Sequence, residues 1–153
     1  MQQPVPSDLL TAPYTIEFGF SRTVGPVIGE FLTGLRDGVL TGATTASGRV
    51  LCPALEFEPG TGIPTTGSVP LEPTGTVTSW TWVPARPGDP VGHDFAWALV
   101  LVDGADTALF HAVDTGGDAD RMHTGMRVRI RWSQERVGSI RDLACFEPVE
   151  EEQ

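Results

Sequence analysis

The sequence predicts a mainly β protein: a five-stranded antiparallel barrel of the oligonucleotide/oligosaccharide-binding (OB) type, preceded by one amphipathic helix and a small ribbon-like lobe. Three observations predict it. Residues 126–132 alternate Met126, Val128, Ile130 and Trp132 with Arg127, Arg129 and Arg131, the period-two pattern of a half-exposed strand. Eighteen glycines and 13 prolines supply the turns and stops that short strands need. An apolar stripe of helical period occurs near the start, over residues 24–37, and long helices are not expected.

Residues 1–40 form an arm and the helix. Pro4, Pro6 and Pro13 interrupt the arm, and Tyr14, Ile16, Phe18 and Phe20 alternate with period two, as in a segment that pairs with a neighbour. In the helix, Val24, Val27, Ile28, Phe31, Leu32 and Leu35 recur at helical spacing, Pro26 suits the first turn, and Gly38 suits a left-handed stop. The stripe fits two placements, packed on the barrel or exposed as a docking surface. The second makes Phe18, Phe20, Val27, Ile28, Phe31 and Leu35 a partner interface.

Residues 41–74 form an irregular lobe, rich in Thr, Gly and Pro and poor in apolar residues. Such a lobe is too small to hold itself without a metal, a disulfide or a packed neighbour. The barrel occupies residues 75–148. Residues 76–83 are β-branched and aromatic, and residues 95–102 are apolar on both faces, as in a central strand. Asp103-Gly104 marks a hairpin turn into residues 107–113. The alternating strand follows, and after Gly138 residues 140–146 form another strand; a fifth is needed to close the barrel. Residues 149–153 are an acidic tail.

Charge and cysteine usage narrow the function. The net charge is −10, from 20 acids and 10 bases, and every base is arginine. Phosphate backbones and anionic membranes should repel such a chain, which disfavours a single-stranded nucleic-acid binder. The longest strongly apolar run, residues 95–102, is far shorter than the roughly 20 residues of a membrane-spanning helix. Cys52 and Cys145 lack C-x-x-C spacing, and the expected setting is the reducing cytoplasm.

Candidate sites are few. Arg127, Arg129 and Arg131 present planar forks suited to a phosphate or an acidic partner, or else they form an ordinary charged outer face. Trp80, Trp82, Trp97 and Trp132, with Phe95 and Phe110, suit a core, an interface or a stacking surface. Trp80 and Trp82 share one strand face. His93-Asp94 reads as a turn, His111 as an outer or half-buried position and His123 as a loop residue. The cysteines read as small buried hydrophobes.

Two segments, Thr44-Thr45-Ala46-Ser47-Gly48 and Glu58-Pro59-Gly60-Thr61-Gly62, stand where zinc knuckles of the form C-x-x-C-G and C-P-x-C-G would stand. With Phe31-Leu32-x-x-Leu35-Arg36-Asp37-Gly38, Gly48-Arg49-Val50-Leu51-x-Pro53, Gly75-Thr76-Val77-x-Ser79-Trp80-Thr81 and Gly125-Met126-Arg127-Val128, the order of parts over residues 24–148 resembles an acyl-CoA-associated family. That family is catalogued as domain of unknown function thirty-five. The resemblance implies a helix, a rubredoxin-like zinc ribbon and an OB fold, in a non-catalytic partner subunit of thiolase-type enzymes. These include thiolase-like aldolases that cleave steroid side chains as CoA thioesters. Here Thr44, Ser47, Glu58 and Thr61 replace the four soft ligands, so no zinc is expected. The alternative is an acyl-CoA-binding protein or enzyme in its own right, with Arg127, Arg129 and Arg131 on the CoA phosphates.

Overall fold

The computed structural model describes residues 12–149. The first half of the arm and residues 150–153 of the expected acidic tail lie outside the described residues. The elements run in the order α1 (Pro26–Asp37), β1 (Leu40–Thr44), β2 (Val50–Leu51), β3 (Gly67–Leu71), β4 (Thr74–Val83), β5 (Phe95–Val102), β6 (Ala108–Val113), β7 (Arg127–Trp132) and β8 (Leu143–Pro148).

Strands β4-β5-β6-β8-β7 close a barrel. Four of its five joints are antiparallel, as the alternation predicts. The fifth, β6 to β8, is parallel and paired only at Val113↔Phe146, so the barrel is mixed rather than wholly antiparallel. Period-two patterning reports which face a residue takes but not which neighbour its strand finds, so this joint left no trace in the sequence. Residues 140–142, expected as strand, instead form a 3₁₀ turn before β8. Ser139 and Asp142 form its capping box.

Helix α1 ends where predicted. Gly38 sits at φ 75°, and its N–H closes on the carbonyls of Gly34 and Leu35. Its first turn has Pro26 and no local side-chain cap. The carboxylate of Glu56 takes that place from the lobe, accepting the Ile28 N–H at 2.9 Å. Gly25 leaves room for it: a Cβ there would meet Glu56 Oε1 at 2.2 Å and displace the carboxylate.

The lobe is more ordered than expected. β1 pairs with β2 and β3 in a three-stranded sheet, and Leu40, Ala43, Cys52 and Ala54 join Phe31, Leu35 and the barrel interior in one continuous core. The β5–β6 turn fastens the lobe to the barrel. Val50 N–H donates to Asp106 Oδ2 and Asp106 N–H donates to the Val50 carbonyl, both at 2.8 Å. Thr107 Oγ1 bonds both the Cys52 N–H and its carbonyl. Isolated apolar pieces become core when three elements fold onto them, which composition over a short window does not reveal.

Both cysteines are buried free thiols, as read from the sequence. Burial pushes each thiol up to about 12, far above the range in which a thiolate forms at neutral pH. The native chain is therefore expected to resist a thiol reagent such as DTNB near pH 8 and to release two equivalents only in denaturant. Rapid labelling of the folded chain would contradict this placement.

Candidate functional site

The arginine row is solvated, as its alternation predicts, but it is not free. Arg127 is paired with Asp103, donating at 2.8 Å to Oδ1. Arg129 donates to Glu147 at 2.9 Å. Arg131 donates to Asp114 at 2.8 Å and lies 3.5 Å from Glu147. Each guanidinium expected to grip a phosphate already faces a carboxylate of the same barrel. The Arg127 fork and the Thr74 hydroxyl hold the Asp103 carboxyl down to about 2. A 230 Å³ hollow gathers Arg121, Arg129 and Arg131, but Asp114 and Glu147 line it as well.

Asp114 organises the opposite end of this row. It is buried, and its Oδ1 accepts from the Gly116 N–H at 2.8 Å and bonds His93 Nε2 at 2.7 Å. Burial alone would raise its pKa; the contacts from His93, the Gly116 N–H and Arg131 outweigh that and lower it. His93 therefore pairs with Asp114, 21 residues away, rather than with its neighbour Asp94.

Three of the four replaced ligand positions converge in the lobe. Ser47 Oγ donates to Glu58 Oε1 at 3.2 Å and Thr61 Oγ1 donates to Glu58 Oε2 at 3.3 Å. Arg49 approaches the same carboxylate at 3.8 Å. Thr44 turns away toward Thr66, and Thr45 stands in its place, 2.9 Å from Ser47. One carboxylate and three hydroxyls make a hydrogen-bonded knot. This donor set has no soft ligand, and among the described residues no cluster of three His, Cys, Asp or Glu side chains converges.

The expected interface residues divide. Phe31 and Leu35 are buried in the core, a correction to their place at a partner contact, and Val27 packs against the same cluster. Ile28 is half-buried. Phe18 and Phe20 remain 79% exposed, with ring centroids 6.1 Å apart, and Tyr14 and Ile16 are exposed beside them.

The aromatic residues divide too. Trp80 and Trp82 pack against the main core from one face of β4, as their spacing predicts. Phe95, Trp97 and Phe110 gather on the β5–β6 wall. Trp97 stacks on Phe110 at 5.2 Å and 18° and meets Phe95 edge-on at 5.1 Å. His111, expected on an outer or half-buried face, is buried, and among the described residues its Nδ1 has no hydrogen-bond partner. Next to it a cleft of about 600 Å³ opens, lined by Trp97, Phe110, His111, Asp89 and its neighbours in the β4–β5 loop, Ser133, and residues 140, 141, 143 and 144.

A closed five-stranded barrel in the order β4-β5-β6-β8-β7, with a parallel joint between its third and last strands, defines an OB-fold protein. Residues 68–133 match the family model described as "ChsH2, C-terminal OB-fold domain". No curated protein matches the sequence. Among solved structures, a Sulfolobus solfataricus protein of unknown function from the DUF35 family is similar at 18% identity. That match covers 69% of this chain and 78% of that one, with a TM-score of 0.55. A chain of a structure described as the Ltp2-ChsH2(DUF35) aldolase is similar at 19% identity, with 84% of this chain and 98% of that one covered and a TM-score of 0.60. The barrel segment of this chain thus matches the ChsH2 C-terminal OB-fold domain, and the chain shares its fold with both solved structures.

Proposed function

We propose that this chain is a non-catalytic accessory subunit of a thiolase-like enzyme of aldolase type acting on acyl-CoA substrates, a retro-aldol lyase of steroid side-chain degradation being the specific case. The observation that carries the reading is the likeness to a chain of the Ltp2-ChsH2(DUF35) aldolase over 84% of this chain, more than the barrel alone. The chain's own chemistry agrees with it. The thiols are buried and protonated, the row arginines are paired with acids, and the lobe is closed by the Glu58 knot, so the subunit would work without zinc. Its role would be to stabilise the partner and shape its substrate channel in the cytoplasm.

The exposed arm is the natural contact. Four large apolar side chains in alternate positions offer one face of an extended strand to a partner, the geometry of strand addition. Exposed aromatic anchors of this kind are common hot spots, with losses of about 2 kcal/mol or more on truncation. Phe18→Ser with Phe20→Ser is expected to weaken association about thirtyfold or more while leaving the melting temperature of the isolated chain unchanged.

Coexpression with a thiolase-fold protein of the same genome tests the proposal. The expected result is a stoichiometric complex, with acyl-CoA cleavage in the complex and none by this chain alone. Turnover by the isolated chain, or failure to associate with any such protein, would overturn it.

A further inference from the structure

The barrel closes between β6 and β8 through one residue pair, Val113↔Phe146. Toward the start of both strands the two part company, and the 600 Å³ cleft occupies that gap. Its size lies within the range of small-molecule sites. One side is the β5–β6 wall, and the other is the 3₁₀ turn and the beginning of β8.

Three features of the cleft point to one kind of ligand. Phe110 is 58% exposed although it sits in the middle of a strand, and it stacks on Trp97, so an open π-face meets solvent inside a concavity. Planar rings stack on such a face. His111 is buried and lines the same cleft; the backbone of Ile140 and Ala112 lies near its ring, but among the described residues its Nδ1 has no partner of hydrogen-bond geometry. A buried polar atom left unpaired is costly, so a ring with hydrogen-bonding edges is favoured over a hydrocarbon. Arg141 stands on the far wall, and among the described residues its guanidinium makes neither an ion pair nor a hydrogen bond; Asp89, the carboxylate in the lining, accepts the Arg86 N–H at 2.8 Å. That separates it from Arg127, Arg129 and Arg131, which are all neutralised.

From this juxtaposition we propose that the seam cleft binds a small nucleotide-like ligand, its planar nitrogen heterocycle stacked on the open face of Phe110, which Trp97 backs, and its anionic group held by Arg141. A polynucleotide is disfavoured, because the chain carries a net charge of −10 and has no lysine to follow a backbone. The site depends only on this chain's own residues and stands whether or not the partner reading does.

Ligand-observed NMR titration of the full chain with AMP, adenosine, ribose 5-phosphate and a single-stranded oligonucleotide tests it. The expected order of affinity is AMP, then adenosine, with ribose 5-phosphate not saturating. Phe110→Ala, at an exposed position that tolerates truncation, is expected to weaken AMP about tenfold or more, the scale of one stacking contact. Arg141→Ala is expected to bring AMP to the affinity of adenosine. Absence of saturable AMP binding at millimolar concentration, unchanged affinity in Phe110→Ala, or ribose 5-phosphate binding as well as AMP would overturn the proposal. Tighter binding of the oligonucleotide than of AMP would replace the small ligand with a polymer and overturn it equally.

Discussion

Leu35→Ala is expected to cost about 3–5 kcal/mol and to lower the melting temperature of the isolated chain by about 6–20 °C. Leu35 is fully buried on α1, in the cluster where the helix, the lobe residues Leu40, Ala43 and Cys52, and the barrel interior meet. Removing its branched end leaves a cavity walled by three elements that cannot all collapse into it. The measurement also distinguishes the two placements the sequence left open for the stripe. Had α1 been a docking helix, Leu35→Ala would leave the free chain's stability nearly untouched and reduce only partner binding. Thermal or urea unfolding of the chain by itself decides between them, and a change below about 1 kcal/mol would remove α1 from the core.

Asp114→Ala is expected to be the second large effect, about 2–4 kcal/mol at neutral pH. The buried carboxylate ties together the β4–β5 loop through His93, the following turn through Gly116 and β7 through Arg131. Removing it leaves the Gly116 N–H and one guanidinium fork without their acceptor, although Arg131 keeps Glu147 nearby. The pH dependence has a definite sign. Folding lowers the Asp114 pKa, and it lowers that of Asp103 to about 2. Their stabilisation is therefore complete above the unfolded carboxyl value of about 3.9 and is lost as pH falls through the lower folded values. Wild-type stability should decline below about pH 4, and the gap between wild type and Asp114→Ala should narrow over the same interval. A gap that stays constant from pH 7 to pH 2 would show that the carboxylate charge contributes nothing.

How much of this was legible depended on whether the signal was local. The β7 alternation fixed which residues face in, and the observed burial of Met126, Val128 and Ile130 follows it. Gly38 marked the end of α1 because only a left-handed residue closes that turn. The 3₁₀ turn before β8 was also readable, since Ser139-Ile140-Arg141-Asp142 has the spacing of a capping box. Four apolar residues further on had instead suggested a strand. Other features had no local signal. The His93–Asp114 pair spans two loops, the single-pair seam depends on how the last strand returns, and the buried setting of His111 follows from that return. Glu58, Ser47 and Thr61 were found by their positions in a motif, whereas Thr45 replaced Thr44 because the turn's backbone rotates the neighbouring hydroxyl inward.

The Glu58 knot changes what the lobe depends on. A ribbon clamped by thiolates lives at the mercy of metal supply and of oxidants that attack sulfur. A carboxylate held by hydroxyls and an arginine offers no sulfur to oxidise. Chelators and peroxide are thus expected to leave the shape of this lobe, and the surface it presents, unchanged.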